Sequence, residues 1–385
     1  MLRTVCTSTA LRASSQRLVL TPQAASRLLV ATYPRAFSTS TPSRNALSAK
    51  PTDEKAVQGT EGLHRRDLAP QHPAAVEEAL THPDAVSPDA VKQAPLIRGD
   101  WVLFHPVYSD EELKAVKVVH RDPTTLPDKV ARALVRFARR SFDFVSGYKE
   151  KHVPPAEGLS LEQLRRQGYA LTEHQWLSRI LFLESIAGVP GMVAATLRHL
   201  RSLRLMRRDA GWIHTLLEEA ENERMHLMTF MTIRKPSIFF RALVLGAQGV
   251  FYNAFFLSYL VSPKICHRFV AYLEEEAVHT YTRCISDLEQ GRIPEWENVE
   301  APEIAKDYWR LRPDAKMIDV LYAVRSDEST HRFVNHSLAN LNPSTDINPF
   351  ALREPDMHVK GTKLGFERSE SEEYVQESHK LLGRH

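Results

Sequence analysis

Asn222-Glu223-Arg224-Met225-His226 and Asp327-Glu328-Ser329-Thr330-His331 repeat one pattern, Glu-x-x-His, at two distant points of the chain. Residues three apart lie on one face of a helix, so each pair offers a carboxylate and an imidazole to a single point. One such pair is weak grounds for a metal site, because both residues are common on solvated helix faces. The surroundings decide the matter. Glu328 falls on the stripe Leu321, Val324, Glu328, His331, whose 3-4-3 spacing is that of a core-facing side. Glu223 sits likewise with Leu216, Ala220, Leu227 and Phe230. A carboxylate on an apolar stripe is costly unless it is paired, protonated or bound to a cation.

Two further acids complete a set. Glu184 lies within Arg179-Ile180-Leu181-Phe182-Leu183-Glu184-Ser185-Ile186-Ala187, an otherwise apolar helix. Glu274 opens Leu273-Glu274-Glu275-Glu276-Ala277-Val278-His279-Thr280-Tyr281 and lines up with Val270, Ala277 and Tyr281, so Glu275 and Glu276 are expected to face solvent. One Glu from each of two helices and Glu-x-x-His from each of two others is the ligand set of ferritin-like di-iron carboxylate bundles. The expected fold is therefore all-α, a ferritin-like four-helix bundle around a di-iron centre. Four carboxylates and two imidazoles suit two iron ions cycling between ferrous and ferric states.

Outward from these stretches, helices are expected near 128–148, 171–204, 209–234, 237–262, 263–290 and 313–340, broken at Pro236, Pro263, Gly291 with Pro294, and Pro313. The 128–148 helix has an apolar side (Val130, Leu134, Phe137, Phe142, Val145) and a basic one (Arg132, Arg136, Arg139, Arg140). That pattern fits a helix lying in a membrane interface and equally an ordinary bundle helix. Ala242 to Val261 is free of charge over its whole length, long enough to span a bilayer. A span there would place the site residues before it and after it on opposite sides of the membrane. A helix embedded in one leaflet is expected instead.

The net charge of +3 offers no large nucleic-acid surface. Cys6, Cys266 and Cys284 have no CxxC spacing, which excludes a zinc ribbon and an iron–sulfur cluster. From Met1 to Thr52 there is no acid, while Arg3, Arg12, Arg17, Arg27, Arg35 and Arg44 are spread among Ser, Thr, Ala and Leu. This is the composition of an organelle transit peptide, here taken as residues 1–37. Residues 38–98 read as a disordered linker, 99–345 as the di-iron domain and 346–385 as a Pro- and charge-rich tail.

The blocks around Glu184, Glu223, Glu274 and Glu328 closely resemble the signature blocks of the alternative oxidases, cyanide-insensitive mitochondrial ubiquinol oxidases, and the stretch 149–168 resembles fungal members. The resemblance covers residues 125–345 and implies metal ligands Glu184, Glu223, His226, Glu274, Glu328 and His331. It further implies a redox-active Tyr281 and ubiquinol-site positions Arg139, Arg179, Thr280, Asp327, Tyr308 and Trp309. Dioxygen would be reduced to water without proton pumping, on the matrix side of the inner membrane, in a homodimer. A soluble ferritin-like ferroxidase and a membrane-bound di-iron quinone-precursor hydroxylase are the competing readings.

Overall fold

The structure, a computed structural model, describes residues 107–146 and 159–382. The transit peptide and linker expected at 1–98 lie outside the described residues, as does the first half of the 149–168 stretch. In chain order the helices are α1 (Asp110–Ala115), α2 (Leu126–Ser146), α3 (Leu161–Gln167), α4 (Glu173–Leu205), α5 (Trp212–Ile233), α6 (Ile238–Val261), α7 (Pro263–Glu289), α8 (Glu303–Trp309), α9 (Met317–Asn340), α10 (Met357–Thr362) and α11 (Arg368–Leu381). Among the described residues the one β-type pairing is an isolated bridge between Glu300 and Lys316.

Helices α4, α5, α7 and α9 form the bundle, with α4 packed on α5 and α7 on α9. Each starts where the sequence supplies a stop or a cap. Thr172 and Gln175 form a capping box before α4. The Ser262 side chain caps α7, with Pro263 as its first residue. Gly211 precedes α5 at φ 83°, and a Cβ there would lie 2.1 Å from the Ala351 Cβ. Only glycine meets both demands. Gly191 lets α4 and α5 approach closely, since a Cβ would lie 2.6 Å from the Leu216 carbonyl oxygen. The α9 helix is central: from Ala323 to Ala339 every residue except Thr330 is buried.

Two of the helices outside the bundle, α2 and α6, are longer than the rest. The α6 helix rests on α4 through one side, and of its own residues only Phe255 and Tyr259 are buried. Ile238, Phe239, Leu245, Val250 and Val261 are each more than 70% exposed. The α2 helix packs on α7 through Asp128, Ala131 and Val135, while Leu126, Val130, Leu134, Phe137 and Phe144 are exposed. The apolar side read from its sequence therefore points mostly away from the bundle, although Phe142 stacks on Phe182.

A buried ion pair pins α2 in place. Asp128 Oδ1 meets Arg268 Nε at 2.7 Å, and Arg268 also donates to Asn340 Oδ1 at 2.6 Å and to His336 Nδ1. Removing one partner of such a pair leaves the other charged and unpaired in the core. Asp128→Ala is expected to lower the unfolding free energy by about 3 kcal/mol, read by urea denaturation. A loss below about 1 kcal/mol, as for an exposed pair, would contradict this.

The segment after Asn342 is folded rather than loose. Phe350 and Phe366 pack on Phe333 of α9, and Asn348 donates to the Gly211 carbonyl and the Thr215 hydroxyl. A few apolar anchors within a polar run suffice to order it, and periodicity does not reveal isolated anchors.

Candidate metal centre

The six expected ligand side chains meet in the middle of the bundle. Glu184 comes from α4, Glu223 and His226 from α5, Glu274 from α7, and Glu328 and His331 from α9; all are buried. One ligand atom from each of Glu184, Glu223, His226 and Glu328 lies within 4.8 Å of the others, and the same holds for Glu223, Glu274, Glu328 and His331. Glu223 and Glu328 belong to both groups, as shared carboxylates between two adjacent cations would.

The unsatisfied atoms identify what the cluster is built for. Glu184 Oε2, both oxygens of Glu223, His226 Nδ1 and His331 Nδ1 are buried without a hydrogen-bond partner. His331 Nδ1 lies 2.7 Å from Glu223 Oε1, and His226 Nδ1 lies 3.3–3.4 Å from Glu223 Oε2, Glu184 Oε2 and Glu328 Oε1, yet the two Nδ1 atoms and their neighbours are not aligned as donor and acceptor. Lone pairs aimed at a common point suit a cation. Four carboxylates balance two divalent ions, and the oxygen and imidazole donors suit iron.

Without cations the cluster must share protons. Burial pushes Glu184 up to about 8. Burial, with the charges of Glu328 and Glu223, pushes Glu274 well above the carboxylate range. Burial opposes ionisation of Glu223 too, but the imidazoles of His331 and His226 hold it far below that range. Both imidazoles are raised in turn, Glu223 being the largest favourable influence on each against the cost of burial. Cation binding would displace those protons.

An outer layer orients the ligands. Asp327 Oδ2 accepts from His226 Nε2 at 3.0 Å, Trp309 Nε1 at 2.8 Å and Asn222 Nδ2 at 3.0 Å, and Asp327 Oδ1 accepts from the Tyr108 hydroxyl. This fixes His226 with Nε2 protonated and Nδ1 free for a cation. Trp309 stacks on His226, and Asn222 also donates to the Tyr308 hydroxyl at 2.9 Å. On the opposite side the Tyr281 hydroxyl donates to Glu184 Oε1, and its ring stacks on Phe230.

The positions expected to bind substrate fall into two places. Asp327, Tyr308 and Trp309 lie behind His226. Arg139, Arg179 and Thr280 gather where α2, α4 and α7 meet: Arg139 pairs with Glu276 and Asp143, Arg179 Nη1 meets Asp143 Oδ1 at 3.2 Å, and Thr280 donates to the Glu276 carbonyl at 2.7 Å.

One expectation is corrected. Glu275 does not face solvent; it is 5% exposed and accepts from His336 Nε2 at 2.8 Å, from the Arg121 backbone N–H at 3.1 Å and from His120. Helical periodicity assigns it to the outer side of α7, but the 120–121 segment covers that side. Glu276 is half-buried against Arg132 and Arg139. Tyr108, Asn222 and Glu219 were missed; Glu219 alone had a sequence signal, lying four residues before Glu223 on the same helix face.

Burial holds His267 and His336 neutral, lowering each to about 4 from an ordinary 6.5. Unfolded, both take up protons near 6.5, so the unfolded chain binds more protons between these values. Their contribution to stability is complete above pH 6.5 and is lost as pH falls toward 4. Urea midpoints are expected to be lower at about pH 4.5 than at about pH 7; equal midpoints would contradict the assignment.

The alternative oxidase family model matches residues 108–340. The mitochondrial alternative oxidase of Cryptococcus neoformans var. grubii is 56% identical over 309 residues, covering 79% of this chain and 77% of that protein. That of Emericella nidulans is 50% identical over 317 residues (80% and 84%), and that of Venturia inaequalis 44% identical over 341 residues (88% and 90%).

Proposed function

The chain belongs to the alternative oxidase family, and from that premise we propose that it is a ubiquinol:oxygen oxidoreductase that reduces dioxygen to water at a di-iron centre. The observation that carries this reading is the convergence of the unpartnered atoms of Glu184, Glu223, His226 and His331. Glu184, Glu223, His226, Glu274, Glu328 and His331 would hold two iron ions, which supply the redox cycling that links quinol to oxygen.

The protein's own groups bind, orient and move protons. Asp327 holds His226 in one tautomer. Tyr281 places a hydroxyl proton on the Glu184 carboxylate, within reach of the reacting centre. Arg139 and Arg179, held by Asp143 and Glu276, offer guanidinium donors for the quinol oxygens, with Thr280 one turn beyond Glu276. Buried side chains around the cluster exclude water.

Ubiquinol reaches such a site from a membrane. The exposed apolar sides of α2 and α6 fit one leaflet of a bilayer. Both α5 and α7 deliver ligands to the same cluster, so α6, which joins them, leaves and returns on one side. This supports a helix lying in the interface, although both α4 and α6 are long and apolar enough to span. The acid-poor, arginine-bearing residues 1–37 and the relatives' mitochondrial names support a mitochondrial location, and with the basic side of α2 we place the protein on the matrix face of the inner membrane as part of this proposal.

Oxygen uptake by the purified chain with ubiquinol as sole reductant tests the proposal. The expected result is cyanide-resistant consumption of one dioxygen per two ubiquinols, with quinone recovered unmodified. Oxygen inserted into the quinone ring would support the hydroxylase reading instead.

A further inference from the structure

Beyond the four carboxylates of the ligand groups and Asp327 behind His226, a sixth carboxylate is buried near the two imidazoles. Glu219 is 6% exposed and lies on α5 one turn before Glu223, yet it belongs to neither ligand group. Its Oε2 accepts from Asn335 Nδ2 at 2.6 Å, and no hydrogen bond among the described residues reaches Oε1. The orientation of Asn335 is fixed, because Nδ2 also donates to the His331 carbonyl at 3.1 Å. Its Oδ1, an acceptor, faces His267 Nδ1 at 3.1 Å, and His267 Nε2 faces the Tyr259 hydroxyl at 3.1 Å. The His267 proton therefore sits on Nδ1, and the Tyr259 hydroxyl donates to Nε2. Every donor in this chain points toward Glu219, so the carboxylate keeps its place whether or not it carries a proton on Oε1.

The chemistry needs such a group. Two ubiquinols release four electrons and four protons, and one dioxygen takes up four of each to give two waters. No net proton is required, but release and uptake belong to separate events. The other acids near the centre are committed. Asp327 accepts four donors, and Glu184, Glu223, Glu274 and Glu328 face the cation positions. Burial is the largest influence on Glu219 and raises it above the ordinary carboxylate range, against the Asn335 bond; a carboxylate raised in this way can both take and give a proton.

We propose that Glu219 is a proton store of the oxidase: its carboxylate takes a proton released as ubiquinol is oxidised and returns it as dioxygen is reduced to water. The O–H bond formed at Oε1 in the first event is broken in the second. Electrons pass from ubiquinol to dioxygen, so Glu219 is itself neither oxidised nor reduced. This inference rests on the oxidase reading.

Glu219→Gln and Glu219→Asp, compared with the wild type as iron-loaded enzymes, test it. Glu219→Gln is expected to keep two irons per chain and the wild-type KM for ubiquinol. Its kcat should fall about a hundred-fold, with a larger solvent deuterium isotope effect. Infrared difference spectra should show a carboxylic C=O band on reduction of the wild type with ubiquinol that is missing in Glu219→Gln. Glu219→Asp should recover part of both. A wild-type kcat and isotope effect in Glu219→Gln would overturn the store while leaving the oxidase reading intact, and so would loss of iron from that variant. A wild type without iron or ubiquinol oxidation would remove the oxidase reading itself.

Discussion

Glu223→Ala loses its iron and its ubiquinol oxidation together. Glu223 is common to both ligand groups, and both its oxygens are buried without a hydrogen-bond partner. It also lies closer than Glu328 to both imidazole Nδ1 atoms, 2.7 Å from that of His331 and 3.3 Å from that of His226. Its removal takes a donor from both cation positions and leaves the two imidazoles facing a void. Loss of an outer-layer partner of a metal ligand costs about ten- to a hundred-fold in metal affinity. Loss of a ligand shared by both ions is expected to cost more than about a hundred-fold by that scale. Iron per chain after gel filtration, measured with oxygen uptake, reads this directly. Asp327→Ala provides the graded comparison, since it removes only the group that orients His226. An Asp327→Ala defect as severe as that of Glu223→Ala would place Asp327 among the ligands instead.

Tyr281→Phe keeps its iron and loses turnover. The substitution deletes one oxygen and leaves the ring stacked on Phe230 in a buried position. What disappears is the hydroxyl that donates to Glu184. Burial, together with the Glu184 and Glu328 charges, pushes the hydroxyl far above its ordinary value, so it holds its proton until the reaction draws on it. A positioned proton donor contributes about a hundred-fold or more to rate, and kcat is expected to fall by that amount with ubiquinol KM unchanged. A kcat within about three-fold of wild type would reduce Tyr281 to a packing residue.

The bundle and its buried cluster of carboxylates and imidazoles were legible because they obey one rule: a carboxylate or imidazole recurring at helical spacing among apolar residues. Glu184, Glu223, Glu274 and Glu328 each sit on such a stripe, and the structure buries all four. The same rule failed at Glu275, whose side of α7 is covered by the 120–121 segment, more than 150 residues away in sequence. It was silent on Tyr108, whose bond to Asp327 closes over 219 residues. Contacts made by irregular segments have no period to betray them. For α2 the pattern left two settings open, and the exposure of Leu134, Phe137 and Phe144 favours the membrane-facing one. Glu219 was visible as a position on the Glu223 face, but two glutamates of the run, Glu218 and Glu221, point outward, and spacing alone does not single out a further buried acid.

Diffraction at the iron absorption edge from crystals of the iron-loaded chain tests the central claim most directly. The expected result is two anomalous peaks inside the bundle, between the side chains of α4, α5, α7 and α9, with Glu223 and Glu328 reaching both. A single peak, or iron bound away from Glu184, Glu274 and the two histidines His226 and His331, would contradict it.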